Sequence, residues 1–502
     1  MALNPVRTLL DVLNFADGKS AFILPDLEIT VTYDQLRAQV SALTDALASA
    51  GIQHGDRVAM ALPNGLPAVV CFLAASIAGT AAPLNPAYPY EEFVFFLKDT
   101  NARVLLCPSN EGEQAKRAAK DLGIRILSVE LTSQGEVLLK DAPGTKSATP
   151  PTPDDVALIL HTSGSTGLPK RVPLRHFNLA VSAANIANSY VLRENDVSLC
   201  IMPLFHIHGL MASTMATLLT GGTVVLPSKF NALAFWRLVQ SHGITWYSGV
   251  PTMHKTILSR TREKPTNCSL RFIRSCSAPF SVETIQNLEQ LLEVPVVEAY
   301  GMTEASHQMS SNPLPPRPRK PGSVGITSGL RVSILDEAGN HLPNGQRGEV
   351  VIQGANVFHG YENNPKANAE SFVQGWFRTG DQGFLDDDCY LNLTGRIKDI
   401  IIRGGENIAP HEIDEILLKH PAIANAVTFG FPHATLGEEV AAAIVLHESA
   451  SLTESALLKY CSDNMADFKA PKKIYFVKSI PITGSGKVRR LAVATALLEK
   501  QG

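Results

Sequence analysis

The amino-acid sequence predicts an α/β protein in two parts: a large N-terminal domain of layered α/β sheets over residues 1–395, with a β subdomain at about 322–393 within it, and a small C-terminal α/β domain over 396–502. Three observations lead there. The 502 residues exceed what one ordinary core of roughly 100–200 residues holds. Short apolar runs alternate with helical patterns, as parallel layers require. Around Gly395 to Gly405 the sequence turns basic and glycine-bearing, and a run of about a hundred residues follows, a typical small-domain size.

Taken in order, Arg57–Ala61, Ala81–Leu84 and Val104–Cys107 read as buried strands, with helices at Tyr33–Ala50 and Glu91–Asp99. Val58 to Tyr90 contains no charged residue, but Pro63, Pro67, Gly79 and Pro83 cut it into pieces shorter than the ~20 apolar residues a bilayer requires. We read it as strand, helix and strand, with no membrane span. Strands are expected again at Val156–His161, Thr223–Leu226, Ile244–Ser248, Phe272–Ser275 and Val296–Ala299, with helices at Ala232–His242 and Val282–Leu292. From Gly322 to about Leu393 short β segments alternate with turn signals such as Asn344-Gly345 and Asp386–Asp388.

A hydrophobic share of 45% with 18% charged residues describes an ordered chain. The net charge of −3, with Lys and Arg spread evenly, leaves no basic stripe for nucleic acid or anionic lipid. The 7 cysteines are far apart, form no C-x-x-C pair and are odd in number, the usage of a reducing compartment. The opening stretch lacks the pattern of a secretory leader and the last residues are not a peroxisomal Ser-Lys-Leu, so a cytoplasmic location is expected. A monomer or weak homo-oligomer is expected as well.

The segment His161-Thr-Ser-Gly-Ser-Thr-Gly-Leu-Pro-Lys170 follows an apolar strand and gathers hydroxyls and glycines, able to wrap phosphates with backbone N–H groups. Its spacing, Gly164-x-x-Gly167-x-x-Lys170 with no Ser or Thr after the lysine, is not that of a Walker loop. Taken alone such a cluster is an ordinary flexible turn. Six further segments decide otherwise: Pro203-Leu-Phe-His-Ile-His-Gly209, Tyr300-Gly-Met-Thr-Glu304, Thr379-Gly-Asp381, Gly395-Arg-Ile-Lys-Asp399, Arg403-Gly-Gly-Glu-Asn407 and Pro481-Ile-Thr-Gly-Ser-Gly-Lys487. In content and order the seven resemble the motifs of the adenylate-forming enzymes, the group of acyl-CoA synthetases, aryl-CoA ligases, peptide-synthetase adenylation domains and beetle luciferases.

The resemblance implies activation of a carboxylate by ATP, with magnesium, and transfer of the acyl group to coenzyme A. Thr162, Ser163, Gly164, Ser165, Thr166, Gly167 and Lys170 would surround phosphates. Lys487 would bridge the carboxylate and the α-phosphate, where like charges must meet. Thr303 would touch the α-phosphate, and Glu304 would hold the magnesium, a hard cation that prefers oxygen. Glu298, Ala299, Tyr300 and Gly301, with Ser277, Ala278 and Pro279, would wall the adenine site. Asp381 and Arg396 would hold the ribose, Lys398 would be the hinge on which the small C-terminal domain swings, and Gly404 and Gly405 would line the pantetheine path.

By the same resemblance the acyl pocket falls at His206, His208, Ser277, Ala299 and His307, with His206 also at the reacting carboxylate. This lining is polar. Gly301 to Pro315 and Arg274 to Pro279 resemble most the oxalate–CoA ligases, and a small dianion needs donors at both ends. Oxalate is therefore the expected acid, although Arg171 stands where many relatives have glycine. The alternatives are a medium-chain fatty or aryl (4-coumarate-like) acid–CoA ligase, which would want an apolar pocket, and a nucleotide-binding regulatory protein with an inactive site.

Overall fold

A computed structural model describes residues 7–14, 18–140, 142, 146–162, 169–481 and 490–498. The chain divides into two compact units, one of Met1–Arg331 with Gln353–Phe372, the other of Val332–Ile352 with Val373–Gly502. The β-rich stretch from 332 thus clusters mainly with the C-terminal residues, whereas the sequence expectation grouped it with the N-terminal ones.

Two sheets make the first unit, among the described residues. In the larger, Val296–Met302, Phe272–Ser275, Trp246–Gly249, Val197–Cys200, Thr223–Val225 and Ser20–Leu24 lie side by side and parallel. His307–Ser311 continues it antiparallel to Val296–Met302. In the other, Arg125–Leu131, Ala102–Pro108, Arg57–Met60, Thr80–Pro83 and Val156–Thr162 are parallel, and Lys170–Arg175 returns antiparallel on the last. Parallel strands are buried on both faces and therefore read as near-continuous apolar runs. The uncharged stretch becomes strand Arg57–Met60, helix Leu66–Ala78 and strand Thr80–Pro83, a helix buried nearly all round. No helix among the described residues is long and apolar enough to cross a membrane.

The mixed α/β architecture is the one expected, and the boundaries moved for local reasons. The helix expected over Ala232–His242 begins at Phe235, because Asn231 Oδ1 accepts the N–H groups of Leu233 and Ala234 and holds a turn there. It ends at Gly243, whose φ of +59° takes the left-handed cap, and the following strand starts at Trp246 rather than Ile244. Inside the stretch expected to be β throughout, Pro365–Ser371 is a helix: Pro365 occupies its first turn and the Asn364 side chain accepts from Ala367 N.

The second unit holds two smaller sheets. Trp376–Leu385 pairs antiparallel with both Gly348–Gln353 and Leu391–Arg396. Gly437–Leu446 pairs with Ile423–His433, Ile401–Arg403 and Lys473–Phe476, covered on one face by helices Pro410–Leu418 and Glu454–Asn464.

Candidate active site

Strands Val156–Thr162 and Lys170–Arg175 pair so that Thr162 stands opposite Lys170. The expected phosphate-binding residues Ser163, Gly164, Ser165, Thr166 and Gly167 between them lie outside the described residues, as does Lys487. The two strand ends are braced by charge. His161 Nε2 bonds the Asp99 carboxylate at 2.9 Å, Arg171 donates to the Asp99 carbonyl at 2.7 Å, and Arg171 and Arg57 both pair with Glu362. Arg171, at the position where a glycine was noted as usual, thus ties the strand to two neighbouring segments.

Lys170 Nζ lies 4.5 Å from the centre of the Tyr361 ring, and the Tyr361 hydroxyl donates to Glu304 Oε1 at 2.9 Å. Glu304 is buried in the short turn Thr303–Ala305, and its carbonyl accepts from Phe358 N. Among the described residues no cluster of three or more His, Cys, Asp or Glu is arranged to cage a metal. A single buried carboxylate fits magnesium, which takes one or two carboxylates and completes its shell with phosphate oxygens and water.

Ala299, Tyr300 and Gly301 follow one another on strand Val296–Met302, the first of them buried. The Glu298 carboxylate accepts from Gly322 N at 2.8 Å, so it is engaged with backbone. Ser277, Ala278 and Pro279 follow strand Phe272–Ser275, with Ser277 at φ +75°, a left-handed conformation that serine seldom adopts.

His208 and His307 stack, their ring centres 4.9 Å apart, and both are buried. Two glycines make this placement possible. A β-carbon at Gly301 would fall 2.0 Å from the His307 carbonyl oxygen, and one at Gly209 would fall 2.3 Å from that of Pro203. His307 itself sits at φ +107° and Ser306 at +51°, so the histidine is presented by a strained turn. His208 Nδ1 lies 3.1 Å from Ser277 Oγ and its Nε2 lies 2.7 Å from Ser248 Oγ. Burial, with His307 and Arg274 alongside, holds His208 well below the usual histidine pKa. His206 is half-buried two residues before His208, with its ring against Phe205.

Behind the histidines stands a group that the sequence reading quoted without giving it a role. Arg274 is fully buried. Its Nη1 donates to Ser248 Oγ at 2.8 Å and reaches His208 Nε2 at 3.3 Å; its Nη2 reaches His307 Nε2 at 3.2 Å and Gln308 Oε1 at 2.9 Å; its Nε donates to the Tyr190 hydroxyl at 2.8 Å. The available signal was the lone arginine beside the apolar Phe272 and Ile273 in a strand read as buried.

In the second unit, Asp381 and Arg396 face each other across antiparallel strands, with Nε 2.9 Å from Oδ1. Asp381 is buried, while about half of the Arg396 side chain is exposed. Lys398 lies in the turn Ile397–Asp399, and burial raises the neighbouring Asp399 carboxyl above its ordinary pKa against the opposing effect of Arg490 and Arg396. Gly404 and Gly405 form the exposed turn between strands Ile401–Arg403 and Glu406–Ile408, at φ +58° and +91°.

The family profile described as AMP-binding enzyme matches residues 13–362, and that described as AMP-binding enzyme C-terminal domain matches residues 412–487. A probable CoA ligase of Humulus lupulus is 43% identical over 96% of this chain and 94% of its own. An oxalate–CoA ligase of Arabidopsis thaliana is 43% identical over 94% and 95%. The crystal structure of ATP-bound MatB from Rhodopseudomonas palustris superposes with a TM-score of 0.92 at 30% identity, covering 99% of this chain and all of that one.

Proposed function

This chain belongs to the AMP-binding enzyme family, and from that premise we propose that it is an acid–CoA ligase whose acid is oxalate. The observation that carries the choice of acid is the buried pair His208 and His307 with Ser277 in contact, a donor-rich lining where a fatty or aryl tail would want apolar walls.

The reaction has two steps. In the first, an oxalate oxygen bonds to the α-phosphorus of ATP while the bond to the departing diphosphate breaks. Lys487 has the role of stabilising the charge that develops as the two anions meet, and Thr303 that of donating to the α-phosphate. Thr162, Lys170 and the residues between them cradle the phosphates. Glu304, its carboxylate oriented by the Tyr361 hydroxyl, would hold magnesium, which would supply charge neutralisation at the phosphates. Asp381 and Arg396 take the ribose, and Tyr300 with Ser277 to Pro279 the adenine. In the second step the CoA sulfur bonds to the acyl carbon, its proton passes to solvent, and AMP leaves with the carboxylate oxygen. Lys398 is the hinge for that exchange, with the functional division at 395/396, and Gly404 and Gly405 admit the pantetheine. His206 acts at the reacting carboxylate, and His307 and Ser277, the serine oriented by His208, hold the other. The 7 cysteines, all free, suit the cytoplasm.

Diphosphate release with ATP, magnesium and CoA, measured across oxalate, malonate, acetate, hexanoate and 4-coumarate, tests the reading. Oxalate is expected to exceed each of the others by at least about tenfold in kcat/KM. Preference for hexanoate or coumarate would refute the acid, and inactivity on all five would refute the ligase.

A further inference from the structure

A buried cation ordinarily lies beside an anion, since moving it from water uncompensated is strongly unfavourable. Arg274 breaks this rule. It is fully buried, and among the described residues no carboxylate pairs with it. Its partners are the neutral oxygens of Ser248, Tyr190 and Gln308, the Cys276 side chain and the Nε2 atoms of two histidines.

Guanidinium N–H groups only donate, so any histidine nitrogen bonded to one must accept. The His208 Nε2 therefore carries no proton, which also fits its 2.7 Å contact with Ser248, whose oxygen accepts from Arg274 and whose hydroxyl proton is left for the ring. The single proton of His208 is then on Nδ1, aimed at Ser277 Oγ at 3.1 Å. Ser277 accepts there and keeps its own hydroxyl proton to donate elsewhere. The same logic at His307 puts the proton on Nδ1. A second proton on either ring would bring imidazolium against guanidinium at 3.2 to 3.3 Å, so the rings stay neutral and the positive charge stays on Arg274.

We propose that Arg274 is the positioning residue of the acyl pocket: it fixes both stacked histidines as Nδ1–H donors and supplies the positive charge whose counter-ion is the second anionic group of a small dianionic acid. This deepens the oxalate reading and rests on it. A monocarboxylate is wholly consumed in the mixed anhydride with AMP and leaves no anion for Arg274, whereas a dianion keeps one carboxylate after activation. Arg274 acts through the imidazoles and Ser277, not by touching the reacting atoms.

The test compares oxalate with oxamate, its monoamide, which keeps the shape and loses one charge. The unsubstituted enzyme is expected to favour oxalate by about a hundredfold or more in kcat/KM, a ratio that Arg274→Met lowers at least about tenfold and Arg274→Lys restores in part. Tyr190→Phe, which removes one acceptor from Arg274 without touching either ring, is expected to lower thermal stability and leave the ratio within about threefold. Because Arg274→Met removes a hub of the core, 15N-histidine NMR of the unsubstituted enzyme provides a second readout, with His208 and His307 assigned from their Gln variants. Both rings are expected as Nδ1–H, Nε2-bare tautomers. A protonated Nε2 on either ring overturns the inference, as does a folded Arg274→Met enzyme with an unchanged ratio; in both cases a preference for oxalate over hexanoate leaves the oxalate reading standing. An unsubstituted enzyme that prefers hexanoate overturns the oxalate reading and the counter-ion role together.

Discussion

At the scale of single residues, His307 is held by its neighbours in a conformation that it would not adopt by itself. Its φ of +107° and the missing side chain of Gly301 are two halves of one arrangement. Gly301→Ala is therefore expected to destabilise the protein by about 2 kcal/mol or more and to lower kcat/KM on oxalate at least about tenfold, read by urea unfolding and steady-state assay. His307→Ala should reduce use of oxalate at least about tenfold while changing use of hexanoate by less than about threefold; an equal loss on both acids would make the histidine purely structural. Lys487→Ala should abolish adenylation, followed as acid-dependent diphosphate exchange into ATP, and retain ATP binding by calorimetry. Retained adenylation would remove Lys487 from its role. At this scale the sequence named both stacked histidines and Ser277, because each sits in a motif whose order is recognisable. It gave no role to Arg274, because the meaning of a buried arginine lies in which atoms surround it, and Tyr190, Ser248 and Gln308 come from elements far apart in the chain.

At the scale of elements, the parallel strands that were expected were legible because burial on both faces makes them continuous apolar runs, and their ends and those of the helix between them shifted where a turn residue such as Asn231 or Gly243 overrode periodicity; Ser20–Leu24, Arg125–Leu131 and Val197–Cys200, equally parallel, went unread. The helix Pro365–Ser371 was hidden because it is short and surrounded by β signals, although Asn364-Pro365 is a start signal. The segment before it brings Tyr361 to Glu304, a contact that no local pattern in the sequence encodes. Removing that hydroxyl leaves the Glu304 carboxylate less well oriented. Tyr361→Phe is expected to raise the magnesium concentration for half-maximal activity roughly three- to tenfold with little change in the oxalate KM, since outer partners of a metal ligand tune metal affinity. An unchanged magnesium dependence with a raised oxalate KM would assign Tyr361 to the acid instead.

At the scale of the whole molecule, the two-part plan was readable from length and from the glycine-bearing basic stretch, while the affiliation of residues 332–352 depends on long-range pairing with Trp376–Leu385. Stability as a whole is coupled to pH through histidines buried neutral. Burial pushes His176 and His254 down to about 4, against an ordinary 6.5. Between those values the unfolded chain binds more protons than the folded one, so stability present above pH 6.5 is lost as the pH falls toward 4. The thermal midpoint is expected to drop between pH 7.5 and 5.5, where carboxylates stay ionised, and His254→Gln should flatten that slope; an unaltered slope would show that other groups titrate. Activation of oxalate as an acyl-adenylate leaves an isotopic trace in the AMP it releases. With 18O-labelled oxalate, ATP, magnesium and CoA, the account predicts that each AMP formed carries one 18O from the acid, alongside equimolar oxalyl-CoA. Unlabelled AMP, or label in inorganic phosphate, would contradict it.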